Sequence, residues 1–264
     1  MKKYLVIGNP IEHSLSPILH NYWIKSNKLN AIYEKKKIDE YELGKLILQI
    51  KKKKINGINI TVPFKKKIIK HLDKLSDEAI STQSVNTVFL NENKLMGHNT
   101  DIEGFEAGLK KTNFNVKDKK ILILGAGGVV SSIIYALQKM QVSEIFISNR
   151  TQSKAEDLKK SFKSLKVIKW GEVPDFDVVI NATSIGLNIN DKMNLDFSKV
   201  GRNKLFFDVI YNPKETDFLS IGKKLGNKIE NGKFMFIHQA SAAFKMWHGL
   251  QPEISDDVIK LVDL

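Results

Sequence analysis

The stretch Ile123-Leu124-Gly125-Ala126-Gly127-Gly128-Val129-Val130 decides the reading of the fold. An apolar run, Ile121 to Leu124, stops at a glycine cluster, and a helix-like run to Met140 follows. This is the strand, tight turn and helix start of a dinucleotide-binding unit. Glycine permits the turn and lets the backbone approach a pyrophosphate, and the helix N-terminus supplies free N–H groups and a partial positive charge. The G-x-G-x-x-G pattern is incomplete, because Val130 holds its third small position, and a turn that only needs glycines satisfies it equally.

The next predicted strand, Glu144 to Ser148, ends in Asn149-Arg150-Thr151. An NAD-type site has an acidic residue near this point for the ribose 2′-hydroxyl, whereas an arginine pairs with a 2′-phosphate. Lys154, one helical turn on, adds a second positive charge. The cofactor reading is therefore NADP. A solvated surface arginine is the alternative, but the chain has only two arginines, Arg150 and Arg202, against forty lysines.

Around this unit, Lys120 to Leu124, Asp177 to Asn181 and Leu205 to Val209 read as buried strands, and Val129 to Met140 and Ser153 to Phe162 as helices. The pattern is a Rossmann-like doubly wound sheet. Upstream, Tyr4 to Gly8, Ala31 to Ile38 and Gly57 to Thr61 read as strands of a smaller α/β domain with parallel pairing. Its helices are Ile18 to Lys28, with Ser16 as N-cap and Pro17 in the first turn, and a run from Asp39 to about Lys53. Short helices at Phe64 to Leu75 and Asp77 to Gln83 precede strands Ser84 to Leu90 and Lys94 to Met96 around an Asn91-Glu92-Asn93 turn. Asp101 opens a helix to about Thr112. Helices at Phe236 to Gly249 and Asp256 to Leu264 are expected to return to the first domain. The expected division is 1–100 plus 236–264 for substrate and 101–235 for NADP.

At 264 residues the chain can bury a good core. It has no cysteine, hence no disulfide or thiolate metal site, and its six histidines are dispersed, so no metal is expected. The apolar run after Lys2-Lys3 is too short for a signal peptide, and no stretch approaches the roughly 20 apolar residues of a membrane span. A cytoplasmic protein without membrane contact, monomeric or homodimeric, is expected. The net charge of +13 invites a nucleic-acid reading. The lysines are scattered, however, and arginine is nearly absent, so a lysine-, isoleucine- and asparagine-rich bias accounts for most of the charge.

Polar clusters stand at predicted strand ends and turns, where ligand groups gather in α/β sheets. They are Ser14-Leu15-Ser16, Asn59 to Lys65, Val85-Asn86-Thr87, Asn99-Thr100-Asp101 and Asp208 to Pro213. Reduction of a ketone by a nicotinamide needs a proton donor at the carbonyl oxygen, and a lysine tuned by burial and a fixed partner can serve. Lys65 with Asp101 is the candidate pair. Singly, each has a plainer reading: Lys65 as one solvated lysine of many, Asp101 as a helix N-terminal carboxylate, Ser16 as a cap, Asn59 and Asn86 as turn asparagines.

Taken in order, these motifs resemble the shikimate dehydrogenase family, NADP-dependent enzymes of aromatic amino-acid biosynthesis. The likeness spans Gly8-Asn9-Pro10 with Ser14 and Ser16, Asn59 to Lys65, Val85-Asn86-Thr87 and Asn99-Thr100-Asp101. It continues through Gly125 to Gly128, Asn149-Arg150-Thr151, Asn181 to Ser184, Tyr211-Asn212-Pro213 and Gln239-Ala240. The resemblance implies two α/β domains and reversible reduction of 3-dehydroshikimate to shikimate with NADPH. It implies Lys65 as the acid–base residue with Asp101. Ser14 and Ser16 would hold the substrate carboxylate, with Tyr211 near it. Thr61, Asn86, Asp101 and Gln239 would bind ring hydroxyls and the reacting oxygen. Gly125, Ala126, Gly127, Gly128 and Val129 would cradle the pyrophosphate. Asn149, Arg150, Thr151 and Lys154 would hold the adenosine end, and Thr183, Val209 and Gly232 the nicotinamide side. Asp77 stands where the family can carry an acidic residue linked to cofactor. Two departures are Val130, in place of alanine or serine, and Phe234, where glycine is common before Met235. A relative that also oxidises quinate or prefers NAD is the nearest alternative; a non-catalytic NADP- or nucleic-acid-binding protein is the more distant one.

Overall fold

The structure, a computed structural model, describes residues 1–188 and 190–263. The chain divides into two compact units, Met1–Gly104 with Ile237–Leu264, and Phe105–Phe236.

In the first unit β1 (Lys2–Gly8), α1 (Ser16–Ser26), β2 (Ala31–Lys37), α2 (Leu43–Lys51) and β3 (Gly57–Ile60) alternate. They are followed by β4 (Lys74–Leu75), α3 (Asp77–Thr82), β5 (Thr87–Asn91), β6 (Lys94–His98) and the start of α4 (Asp101–Lys111). The sheet order is β2-β1-β3-β5-β6-β4. β1 pairs in parallel with β2 and β3, but β5 is antiparallel to both β3 and β6. The three strands expected to pair in parallel do so, and the sheet as a whole is mixed because β5 and β6 join it as a hairpin. At the turn between β5 and β6, Glu92 and Asn93 take positive φ (48° and 61°) and reverse the chain in two residues, whereas a parallel connection needs a long crossover.

α2 buries Leu43, Leu46, Ile47 and Ile50, the one-face spacing of an amphipathic helix, against Leu5, Ile7, Ile58 and Ile60 of the sheet. Each such side chain contributes roughly 1.5–3 kcal/mol. Phe64 to Leu75 is not a helix, as its pattern implies, but a run of turns with a 3₁₀ turn at Ile69–His71 and a short strand. Asp73 draws the segment out: its N–H donates to the Leu95 carbonyl (3.0 Å) and its carboxylate accepts from the Leu95 N–H (2.8 Å), laying Lys74 and Leu75 along β6. Ser16 is not the N-cap. α1 begins at Ser16, Leu15 occupies the cap position without a side-chain bond, and Ser14 Oγ accepts the Ser16 N–H at 3.3 Å.

The second unit holds β7 (Lys120–Leu124), α5 (Val130–Lys139), β8 (Glu144–Ser148), α6 (Gln152–Ser161), β9 (Lys166–Ile168) and β10 (Val178–Asn181). It continues with β11 (Leu205–Asp208), α7 (Asp217–Lys224) and β12 (Lys228–Glu230). The strand order is β12-β11-β10-β7-β8-β9, and every pair is parallel. This is the doubly wound Rossmann arrangement, with the order reversing between β7 and β10. β7, β10 and β11 are apolar and almost wholly buried, as strands covered on both faces must be.

α8 (Lys233–His248) and α9 (Asp256–Leu261) complete the chain; Leu264, the expected end of the last helix, lies outside the described residues. From Ile237 on, the chain belongs to the first unit. Trp247 stacks on Tyr4 with centroids 4.9 Å apart, and Trp23 Nε1 donates to the Glu253 carbonyl at 2.9 Å. Among the described residues no helix is long and apolar enough to cross a membrane.

His20 sits inside this aromatic packing at 0% exposure, stacked on Tyr33 at 4.1 Å, and among the described residues neither ring nitrogen has a hydrogen-bond partner. Burial, with a smaller contribution from His248, pushes its pKa from 6.5 to about 3. The unfolded chain protonates this ring near 6.5, so the unfolded state binds the extra proton below that pH. The stability associated with a neutral His20 is full above 6.5 and is lost as the pH falls towards 3. His20→Phe keeps the stack and removes the proton. Urea unfolding of this variant between about pH 6.5 and 4 is expected to show a pH slope shallower than wild type by up to about 1.4 kcal/mol per pH unit.

Candidate active site

Two groups of sequence-predicted residues are drawn together, one in each unit. In the first, Lys65 lies just beyond β3 and Asp101 opens α4. Lys65 Nζ stands 2.5 Å from Asp101 Oδ2, with the side chains 12% and 8% exposed. A surface pair such as Lys3 with Glu34 leaves both partners more than 40% exposed. Taking two charges out of water costs several kcal/mol each, so the Lys65 pair persists only with good geometry and satisfied remaining lone pairs.

Asn86 supplies that satisfaction. Its Nδ2 donates to Asp101 Oδ1 at 2.9 Å and to Thr100 Oγ1 at 2.9 Å, while its Oδ1 accepts from the Thr100 N–H (2.8 Å) and Thr87 Oγ1 (3.0 Å). Asn59 lies behind it, donating from Nδ2 to Thr87 Oγ1 (3.0 Å) and to the Asn86 carbonyl (3.1 Å). Tyr33 OH donates to Asn59 Oδ1 at 2.6 Å. Burial holds the Tyr33 phenol well above its usual pKa, against a smaller opposing hydrogen bond from Ser16, so it remains a donor. Tyr33 carries no motif signal; only its place in the alternation of β2 marks it as buried.

Ser14 and Ser16 stand together at the start of α1, half-buried and buried. Thr61 follows β3, and its Cγ2 would lie 2.5 Å from a Cβ on Gly8, so glycine is required there for the two strand ends to meet. Gln239 is half-buried on α8. Asp77 lies in the first turn of α3, whose N-cap is Ser76 (Ala79 N–H to Ser76 Oγ, 3.2 Å), and stays outside the Lys65 network.

In the second unit the glycine turn follows β7 at the switch point. Gly125 has φ +109°, and a Cβ there would stand 2.6 Å from the Ala182 carbonyl oxygen, so both conformation and space require glycine. Ala126 is half-buried; Gly127 and Gly128 are exposed backbone. α5 starts after Val129, an N-cap residue whose side chain makes no capping hydrogen bond. Exposed glycine backbone before an uncapped ten-residue helix fits a pyrophosphate. Val130 is fully buried at the first turn. Beyond β8, Asn149 Nδ2 bonds to the Thr151 carbonyl at 2.8 Å, and Arg150, Thr151 and Lys154 are exposed. Neither Arg150 nor Lys154 has an ion-pair partner among the described residues, leaving two cations for a phosphate.

At the ends of β10 and β11, Thr183 donates through N–H (3.1 Å) and Oγ1 (2.7 Å) to Asn181 Oδ1. Asn181 Nδ2 in turn donates to both oxygens of Asp208 at 3.1 Å. Gly232 N–H bonds to the Ile210 carbonyl at 3.0 Å, and a Cβ on Gly232 would collide with the Val209 carbonyl. Tyr211 stacks on Phe236 at 4.6 Å, and the Lys111 ammonium lies 5.0 Å above the Phe234 ring. Among the described residues no group of histidine, cysteine, aspartate or glutamate is arranged to hold a metal.

Two family models match the chain: the shikimate dehydrogenase substrate binding domain over residues 6–88, and shikimate / quinate 5-dehydrogenase over residues 107–218. A shikimate dehydrogenase (NADP(+)) of Pelagibacter ubique is 58% identical over 263 residues, covering 100% of this chain and 99% of the relative. The crystal structure of shikimate dehydrogenase from Aquifex aeolicus is 37% identical with a TM-score of 0.90, covering 99% of this chain and 97% of that one. Shikimate 5-dehydrogenase from Thermus thermophilus, solved in complex with NADP(H) and shikimate, is 31% identical with a TM-score of 0.90 over 99% and 98% of the two chains.

The Gly232 contact makes a direct test of the second cluster. Gly232→Ala must push back the Val209 carbonyl, a backbone group that cannot rotate aside. Calorimetric titration with NADP is expected to give a dissociation constant raised about tenfold or more, about 1.4 kcal/mol of lost binding.

Proposed function

The chain belongs to the shikimate dehydrogenase family, and from that premise we propose that it reversibly reduces 3-dehydroshikimate to shikimate with NADPH, with Lys65 and Asp101 as its acid–base pair. The observation that carries the residue assignment is the buried 2.5 Å contact between these two side chains, set among amide and hydroxyl donors suited to a polyhydroxylated ring. When bound, NADP(H) exchanges a hydride with the substrate carbon. The glycine turn from Gly125 to Gly128 with Val129 would hold its pyrophosphate. Asn149, Arg150, Thr151 and Lys154 would hold its adenosine end, and Thr183, Val209 and Gly232 would line the nicotinamide side. Asp77 is accounted for by its place in the first turn of α3, where a carboxylate suits the helix N-terminus.

The proton follows from the chain's own groups. In the reductive direction the Lys65 ammonium gives a proton to the carbonyl oxygen as it becomes a hydroxyl; in the oxidative direction the Lys65 amine takes it back. Asp101 holds Lys65 in place through Oδ2 and can accept a hydrogen bond from a ring hydroxyl. Asn86, Thr61 and Gln239 would serve the other ring hydroxyls, Asn86 by exchanging one of the bonds its Nδ2 makes to Thr100 and Asp101 for one to the substrate. Ser14 and Ser16 would bind the substrate carboxylate, helped by Tyr211. The reading includes a place in chorismate and aromatic amino-acid biosynthesis and a cytoplasmic location, with which a sequence free of cysteine accords.

Lys65→Ala is expected to lower shikimate oxidation, followed at the reduced-nicotinamide absorbance, by about a hundred- to ten-thousandfold, with NADP affinity nearly unchanged. Unchanged turnover would remove the assignment. Quinate as a parallel substrate tests a second reading, which the match to a shikimate / quinate 5-dehydrogenase model favours. For the cofactor, Arg150→Ala is expected to cost about tenfold or more in NADP affinity while leaving NAD affinity in place, since a charged hydrogen-bonding group is worth roughly 1.5–3 kcal/mol.

A further inference from the structure

Asp208 is 0% exposed at the end of β11 and takes no part in the chemistry above. Its carboxylate accepts four hydrogen bonds: two from Asn181 Nδ2 at 3.1 Å, one from the Ile210 N–H at 2.9 Å and one from Thr216 Oγ1 at 2.7 Å. All of these donors are neutral. Burial pushes its pKa up from 3.8 to about 6, against the pull of these hydrogen bonds, and no charged side chain contributes. A buried carboxylate without a cation is costly, and its geometry here has a consistent direction.

Each donor leads to a different loop. Asn181 turns its Oδ1 to the N–H and hydroxyl of Thr183 and its Nδ2 also to the Ile185 carbonyl (3.0 Å). Ile210 lies next to Val209, and its carbonyl receives the Gly232 N–H. Thr216 caps α7 by accepting the Leu219 N–H at 3.3 Å, and its methyl would lie 2.9 Å from a Cβ on Gly186, which has φ +112°. Thr183, Val209 and Gly232, the three residues assigned above to the nicotinamide side, are thus each tied to Asp208 directly or through one residue.

We infer that Asp208 is a positioning residue, a buried acceptor hub that sets the relative placement of the three segments lining the nicotinamide side. The inference rests on the NADP reading of this site. A carboxylate is the group required, because only an acceptor without hydrogens faces donors on all sides. Asparagine has nearly the same shape but turns an NH₂ towards Asn181 or Thr216, so one donor meets another and a loop must move.

The test compares wild type with Asp208→Asn, Thr216→Val and Thr216→Ser. NADP affinity is read by calorimetry, and kcat and KM by shikimate oxidation. Asp208→Asn is expected to weaken NADP binding and lower kcat by about tenfold or more each, the scale of a sub-ångström misplacement, with the KM for shikimate within about twofold. Thr216→Val, which removes one donor, moves both in the same direction by less, and Thr216→Ser restores them. If Asp208→Asn does not fold, the Thr216 pair decides alone. A merely structural role lowers the melting temperature of these variants but leaves NADP affinity and kcat at wild-type values, and that result overturns the inference. Wild type that neither binds NADP nor oxidises shikimate overturns the reading of the site, and this role with it.

Discussion

The contact between Lys65 and Asp101 is the constraint around which the polar network of the first unit is arranged. Two opposite charges almost out of water are retained only if their other lone pairs find donors. Here the donors run in one direction, from Tyr33 to Asn59, Asn59 to Thr87, Thr87 to Asn86 and Asn86 to Asp101. The sheet makes this possible. Asn59 and Thr87 are direct cross-strand partners on β3 and β5, so their side chains share one face at close range. A slip of one residue would turn Asn59 to the opposite face and break the run. The antiparallel pairing of β5 with β3 is therefore what brings Thr87 beside Asn59.

The second unit meets a different demand. A dinucleotide site needs backbone rather than side chain at its closest points, and glycine is used there for two separable reasons. Gly125 needs a positive φ and also faces the Ala182 carbonyl, so a side chain fails there twice over. At Gly232 only the approach to the Val209 backbone requires it. Both contacts lie at the carboxyl ends of parallel strands, where the doubly wound topology leaves a crevice. The uncapped start of α5 belongs to the same arrangement, because a capping side chain would compete with a ligand for those N–H groups.

The second unit is the more legible of the two in sequence. Its strands β7, β8, β10 and β11 are uninterrupted apolar runs or nearly so, which a sheet covered on both faces demands. The edge strands β9 and β12 leave no mark, because three residues of mixed polarity, such as Lys166-Val167-Ile168, carry no period. In the first unit the alternation of elements and the Asn91-Glu92-Asn93 turn between β5 and β6 are legible, but the antiparallel pairing of β5 with β3 is not, because it joins strands far apart in the chain and no local signal sets it. Phe64 to Leu75 misleads because its apolar spacing suits a helix while long-range pairing to β6 decides its conformation. For the site, motif order picks out Lys65, Asn86 and Asp101, which the fold gathers into one network. Tyr33 is invisible in sequence, since its role arises from a strand pairing rather than from its neighbours along the chain.

The molecule thus buries two carboxylates in contrasting ways. Asp101 is matched to a cation and stands at a site that still reaches water. Asp208 is matched only to neutral donors and reaches none. Its pKa is raised from 3.8 to about 6, so its contribution to stability is full below 3.8, where it is protonated, and is lost as the pH rises through about 6. At neutral pH the fold therefore carries an ionised group that opposes its own stability. An apolar side chain of similar volume would remove that cost but not supply the four acceptor contacts. A cost of this kind persists where geometry is worth more than stability, which is the expectation for a group holding loops around a ligand rather than for one filling a core.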